Sequence, residues 1–449
     1  MNLISLLRGI LGLFLIIGIA LLFSNNRRRV SWPLVGKGIL IQLVFAVFIL
    51  YADALRSWFA PLGWPKAVIS WLGGAVVSLL GFTTEGSRFV FGRLAANSGP
   101  DSLGVYFAFQ VLPTIVFVAT LTSVLYYLGI LQAVVKGMAW LMAKLLGTSG
   151  AESLSNTANI FVGQTEAPLL VKPYIGNMTN SEILTVMVGG MATIAGGVMA
   201  AYIQMLGQAL AEVQKIPLAE AQLRFAVQLL AASVMAAPAG LVISKVLFPE
   251  TGTPATRGKV NLKVEKNADN VIEAAATGAG DGMQLALNVG AMLIAFIAGI
   301  ALINYLFTGL GDLLGVNAYL RAHFGMPLSL QLVFGVVLRY LAVGIGVPAA
   351  DAFHFGSLLG TKVVLNEFVG YIDLVGLIRQ GALSPKAVTM ATYAMCGFAN
   401  FSSIAIQIGG IAPMAPHRKK DIAALGLKAV LGGTLATLMT ATLAGILLG

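Results

Sequence analysis

Apolar runs of about twenty residues recur from one end of this chain to the other. They are Leu3–Phe23, Gly38–Leu55, Val105–Leu128, Ile183–Leu206, Phe225–Leu247, Met283–Phe307, Ala387–Gly410 and Ile422–Leu447. A helix of ~20 residues matches the ~30 Å hydrocarbon thickness of a bilayer. The runs do not alternate apolar and polar residues, so a membrane β-barrel is disfavoured. Of the 449 residues, 58% are hydrophobic and 10% charged. Soluble domains carry roughly 25% charge, and fewer would leave their surface uncovered. The expected fold is an all-α polytopic membrane protein with about eight transmembrane helices. A soluble enzyme, a disordered chain and a disulfide scaffold are excluded. The lone Cys396 permits no internal disulfide, and His323, His354 and His417 are too scattered for a typical metal site.

The formal net charge of +10 is no nucleic-acid signature, because the basic residues sit in short clusters between apolar runs. Arg27–Arg29, Arg257 with Lys259, Lys263 and Lys266, and Arg418–Lys420 are the strongest. The positive-inside rule places all three in the cytoplasm when the N-terminus lies outside. Arg8, the Arg56–Arg93 region, Arg379 and Lys386 run against that rule. The first run has its arginines after it and no cleavage site, so it reads as a span and not a signal peptide. Arg56–Asp101, with Trp58, Trp64 and Trp71, reads as interfacial helices more than a full span, and Gln132–Leu146 as a second interfacial piece. Leu328–Val347 carries Arg339 and reads as an interfacial or a buried helix. Pro249–Asp281 is the long polar loop.

Two segments fit neither lipid nor an ordinary loop. Gly150–Asn180 holds Glu152, Asn156, Asn159, Gln164, Glu166 and Lys172 among apolar residues and prolines. Ala349–Leu377 holds Asp351, His354, Lys362, Asn366, Glu367 and Asp373. A re-entrant hairpin buried in protein accommodates such a mixture. The two segments match each other. Gln164-Thr165-Glu166 precedes a span broken around Thr193–Gly197, with the interruption at Ala195-Gly196-Gly197, and Leu365-Asn366-Glu367 precedes one broken around Cys396–Ser403, each by about thirty residues. One hairpin enters from the cytoplasm and the other from outside, so the halves are inverted. Inverted repeats with broken helices meeting near the midplane are the design of secondary transporters. A glycine pair can also be a packing contact, and a lone glutamate a structural partner. Two carboxylates in matching hairpins are harder to assign to structure alone, since each costs at least a few kcal/mol unpaired in a bilayer.

Asn159-Ile-Phe-Val-Gly-Gln-Thr-Glu-Ala-Pro-Leu169 resembles the first-hairpin motif of the concentrative nucleoside transporters. Asn366-Glu-Phe-Val369 and Gly397-Phe-Ala-Asn-Phe-Ser-Ser-Ile404 resemble that family's second-hairpin and seventh-span motifs, and Ala291–Phe296 is typical too. The resemblance runs in order through most of Gly150–Gly410. It implies an elevator-type transporter assembled as a homotrimer, carrying a nucleoside such as uridine across an inner or plasma membrane. It implies that Gln164 and Thr165 bond the nucleobase, with Glu166 reaching it through water and Val198 packing on it. Glu367, Asn400 and Ser403 would bind the ribose hydroxyls, with Phe398 lining that pocket. For the coupling ion, resemblance to sodium-coupled members implies the Asn159 side chain, the Val162 and Ile194 carbonyls, and the hydroxyl and carbonyl of Thr193. Thr193 stands where serine is expected but keeps the hydroxyl. Proton-coupled relatives tend to carry a serine version of the hairpin motif, so the threonine form favours sodium.

On this reading 1–104 holds the N-terminal spans, 105–248 the first repeat, 249–282 the polar loop, 283–411 the second repeat and 412–449 the last span. The alternatives are a proton-coupled nucleoside symporter and an elevator carrier for another small polar solute. An anionic solute would call for a basic residue in the site, where two glutamates stand. A channel would favour a symmetric filter or charge ring. No metalloprotease, nucleophile–base or nucleotide-binding motif is present, so no catalytic residue, cofactor or nucleic-acid partner is expected.

Overall fold

The computed structural model describes residues 3–96, 106–257 and 268–448. Lys259, Lys263 and Lys266 of the polar loop, and the expected boundary at 104, lie outside the described residues. The described chain is helical throughout. It begins with α1 (Leu3–Leu22), α2 (Trp32–Leu50), the short α3 (Ala52–Trp58) and α4 (Trp64–Phe91). Next come α5 (Phe107–Gln110), α6 (Leu112–Tyr127) and α7 (Ile130–Leu146). The first hairpin is α8 (Gly150–Ala158), an extended tip and a return through α9 (Lys172–Ile175). The helices α10 (Asn180–Ala192) and α11 (Gly196–Gln214) form one broken span, followed by α12 (Leu218–Leu247). The second half repeats this order. It runs α13 (Val271–Leu313), α14 (Asn317–Phe324), α15 (Leu330–Gly344), then the hairpin α16 (Ala352–Val364) and α17 (Glu367–Arg379). The broken pair α18 (Pro385–Met395) and α19 (Phe401–Ile411) follows, then α20 (Lys419–Leu448).

Eight described helices or helix pairs are long and apolar enough to cross a membrane by length and composition. They include seven of the expected spans and also the stretch read as interfacial, which forms the 28-residue α4. In α4, Ser78, Thr83 and Thr84 each donate to the carbonyl four residues back, at 3.0 Å, and so satisfy themselves within the helix. The expected seventh span is the broken pair α18–α19, two 11-residue helices that reach membrane length only together. The polar loop is shorter than expected, because Asn270 accepts the Glu273 N–H at 2.9 Å and starts α13 at Val271. α15 is not a buried helix, since Leu332, Gly335 and Ala342 are its only buried residues.

The helices divide by burial. The hydropathic windows of α20 and of the α10–α11 pair are 89% and 83% buried, whereas that of α13 is 17% buried. A membrane protein exposes apolar surface to lipid, so α13 and its partner α6 form an outer frame around a packed inner body. The frame closes through small residues. A Cβ on Gly282 would lie 2.8 Å from the Val116 Cα, and one on Gly278 2.9 Å from the Thr120 Cα, so only glycine lets the two backbones meet.

Hairpin bases lie at opposite ends. At the first base, His417 and Arg418 reach the Gly176 carbonyl, and Arg29, Ser149 and Arg257 border one cavity. At the second, Asp351 accepts from the Ser384 hydroxyl at 2.5 Å, Arg379 pairs with Glu212 at 2.9 Å, and Lys386 reaches Ser5 near the N-terminus. Arg29, Arg257 and Arg418 thus share an end with the first hairpin, and the second hairpin is inverted relative to it. Arg379, an exception to the charge rule, is offset by its glutamate.

Candidate substrate site

Each hairpin tip and each helix break is positioned by side chains reading backbone. Ser149 and Glu152 form a capping box that starts α8, and Thr179 and Glu182 form another that starts α10. Asn366 accepts the Val369 N–H at 2.9 Å and starts α17. Asn400 accepts the Ser403 N–H at 2.9 Å and starts α19. Such caps satisfy N–H groups that a helix start leaves without partners, a strict need away from water.

α10 ends at Ala192 and the chain resumes helix at Gly196, so the interruption is Thr193–Ala195, within the expected Thr193–Gly197, and the glycine pair belongs to α11. At the stop the Thr193 hydroxyl donates to the Gly189 carbonyl at 3.0 Å. The second interruption is Cys396–Asn400, and Phe401–Ser403 already belong to α19. The two breaks touch. The Phe398 N–H donates to the Thr193 carbonyl at 3.3 Å, and a Cβ on Gly397 would lie 2.7 Å from the Met191 oxygen. The first hairpin joins them, its Phe161 carbonyl accepting the Gly196 N–H at 3.2 Å.

A cavity of about 180 Å³ opens where these parts meet. An ordered water needs ~10–15 Å³ by this kind of measure, so the space suits a small organic solute. Gln164, Thr165, Glu166, Val198, Glu367, Phe398, Asn400 and Ser403 all line it, every one of the residues expected to bind substrate. Among the described residues, no lysine or arginine lines it. The Glu367 carboxylate accepts from the Tyr202 hydroxyl at 3.0 Å through Oε1 and from Asn400 Nδ2 at 2.9 Å through Oε2. Each oxygen keeps a lone pair for a further donor. Gln164 Nε2 donates to the Ser403 hydroxyl at 3.1 Å and ties the first tip to α19, while its buried Oε1 meets no donor among the described residues. Glu166 is exposed to the cavity and accepts the Gly163 N–H at 3.0 Å. The arrangement presents amide, hydroxyl and carboxylate groups to an uncharged polar solute rich in hydroxyl and N–H groups.

Some lining residues were not foreseen. Leu285, Asn288, Val289, Met292 and Leu293 of α13 form a wall of the cavity, so the site lies between the inner body and the frame. Asn288, polar within an apolar run, was the available signal. Tyr202 gave none, being one aromatic in an apolar helix. Its ring lies 5.0 Å from that of Phe368 and 4.2 Å from that of Tyr371, which fixes the hydroxyl toward Glu367.

The four residues expected at an ion site are all buried. Asn159 Nδ2 donates to the Ser155 carbonyl at 2.9 Å, leaving its Oδ1 buried without a donor. Among the described residues, no backbone N–H donates to the Val162 or Ile194 carbonyl. Buried acceptors without donors are costly, and a cation would satisfy them.

Hairpins and broken helices that converge on a polar cavity inside an outer frame of apolar helices define a secondary transporter fold. Three family descriptions match: "Na+ dependent nucleoside transporter N-terminus" over 11–94, "Nucleoside recognition" over 108–209 and "Na+ dependent nucleoside transporter C-terminus" over 228–445. An uncharacterized transporter of Haemophilus influenzae is 46% identical, covering 99% of this chain and 98% of its own. The nucleoside permease NupC of Helicobacter pylori is 40% identical, covering 99% and 98%. A solved structure of CNTnw in an inward-facing substrate-bound state superposes with a TM-score of 0.84 at 40% identity, covering 99% of each chain. The chain belongs to the concentrative nucleoside transporter family. It is a multi-pass membrane transporter with an elevator-type fold, and not an enzyme.

Proposed function

We propose that this chain is a sodium-coupled symporter that imports nucleosides such as uridine. One observation carries the reading: a cavity without a basic residue sets the Glu367–Asn400–Ser403 group opposite Gln164 and Thr165. A carboxylate accepts two bonds from a vicinal diol, and an amide offers a donor and an acceptor to a base edge. Glu367, Asn400 and Ser403 bind the ribose hydroxyls and Phe398 lines that pocket. Gln164 and Thr165 bond the base, Glu166 reaches it through water, and Val198 packs on it. Sodium is held by Asn159, Thr193 and the carbonyls of Val162 and Ile194, between the first hairpin and the α10 break. Oxygen ligands without a carboxylate suit a monovalent hard cation. The inner body carries both across the membrane against α6 and α13, and the protein works as a homotrimer. The proposed division of the chain follows, with repeats over 105–248 and 283–411 and the N-terminal spans, polar loop and last span around them.

Calorimetric binding of uridine and 3′-deoxyuridine to the purified protein in sodium tests the site. Losing one bond to an ionised carboxylate costs ~1.5–3 kcal/mol, so the deoxy compound binds about ten- to a hundredfold more weakly. Equal affinities would remove Glu367 and its neighbours from ribose recognition.

A further inference from the structure

The two broken spans finish their first halves differently. A helix end leaves its last four carbonyls without intrahelical donors, and that end carries partial negative charge. In the second half all four are answered. Thr392 O accepts from the Tyr371 hydroxyl at 3.0 Å, Tyr393 O from the Cys396 N–H at 3.1 Å, and Met395 O from the Gly397 N–H at 2.8 Å. Ala394 O accepts from the Lys362 ammonium at 2.7 Å. In the first half Gly189 O has the Thr193 hydroxyl, while Gly190, Met191 and Ala192 carbonyls receive no donor among the described residues.

Lys362 is a fully buried lysine on the rising arm of the second hairpin. Its other partner is the Thr437 hydroxyl of α20, at 3.1 Å. Among the described residues, no carboxylate forms an ion pair with it; Lys245, the other buried lysine, has Glu152 at 2.6 Å. Glu367 at the start of α17 acts on the Lys362 ammonium electrostatically without pairing with it, and an ammonium buried in a membrane protein without a paired counter-ion is expensive and needs a reason. The reason offered by the geometry is the end of α18. Broken-helix C-termini are where transporters of this design hold cations.

We propose that the Lys362 ammonium is a tethered cation occupying, in the second repeat, the place that sodium takes in the first. It neutralises the end of α18 permanently, holds the break and the α17 start in register, and so positions Glu367 and Asn400 with no ion in that half. The protein therefore couples one sodium per nucleoside, through the first half alone. Lys362 touches no substrate; it is a positioning residue. The inference rests on the sodium reading above.

The test is nucleoside affinity against sodium concentration for the wild type, Lys362→Met and Lys362→Ala, with and without ethylammonium as a soluble stand-in for the lost head. The wild type responds with a logarithmic slope of one. Lys362→Met, similar in length but uncharged, binds uridine at least about tenfold more weakly at saturating sodium. Lys362→Ala regains affinity with ethylammonium, or takes a second sodium and its slope rises toward two. Affinities and slopes equal to wild type in both variants would overturn the proposal. So would a weakening of Lys362→Ala that neither cation relieves, because that marks a packing role. Should neither variant fold, Thr437→Val keeps the ammonium and removes one acceptor; a severalfold loss of affinity with unchanged slope supports the proposal, and no loss overturns it. A wild type indifferent to sodium would defeat the coupling reading, and ethylammonium rescue would still decide the role of Lys362.

Discussion

Asn400 does two things with one amide. Its Oδ1 starts α19 by accepting from Ser403 N, and its Nδ2 holds Glu367 Oε2. Placing a cavity-lining residue, proposed here to bind ribose, at a helix cap makes its rotamer a condition of the fold, so the site is ordered before any solute arrives. Asn159 is the contrasting case, with Nδ2 used and Oδ1 left over. At this scale the proposed sodium site makes a direct prediction. Asn159→Ala removes one oxygen, and the sodium concentration giving half-maximal uridine uptake rises about tenfold or more. Thr193→Ser keeps the hydroxyl and leaves that concentration within about twofold, as transport assays over a sodium series would show. Full sodium stimulation in Asn159→Ala would place the ion elsewhere. Residues in long distinctive strings, such as Gln164-Thr165-Glu166, were legible from sequence because the type and the order both carry chemistry. Tyr202 was not, because its role depends on a hydrogen-bond partner, Glu367, 165 positions away.

Helix breaks were legible as elements: the first lies within the expected Thr193–Gly197, and the second begins at the expected Cys396 and ends three residues sooner, at Asn400. A glycine pair draws the eye, yet it opens α11 and lies outside the break. Hydroxyls that bond their own helix, as in α4, cost little, although sequence counts them as polar. Seams between helices are also written in small residues, legible only once partners are known. Gly278 and Gly282 bring α13 against α6. Gly282→Leu puts a side chain where the Val116 backbone lies, so the α6–α13 frame separates and thermal stability in detergent falls by several degrees. Gly280→Leu, with open space around the added atom, is the matched control and leaves stability near wild type. A thermal-shift series on purified protein would decide between them.

Across the whole molecule, the outer α13 and the inner body meet at the cavity, the body contributing both hairpin tips, α11 and α19. The fold class and the inverted halves were legible because bilayer thickness and loop charge act on long stretches of chain. The wall contributed by α13 was not, since it arises from how two bodies pack. A site at such a boundary can be exposed to either side by moving one body along the other, which is the proposed route of transport. The most direct test is uridine uptake into proteoliposomes under an inward sodium gradient, an inward proton gradient, or neither. The account predicts accumulation above equilibrium with sodium alone, and only slow equilibration otherwise. Accumulation driven by protons and indifferent to sodium would contradict the coupling; no uptake of uridine, adenosine or guanosine under any gradient would contradict the proposed substrate.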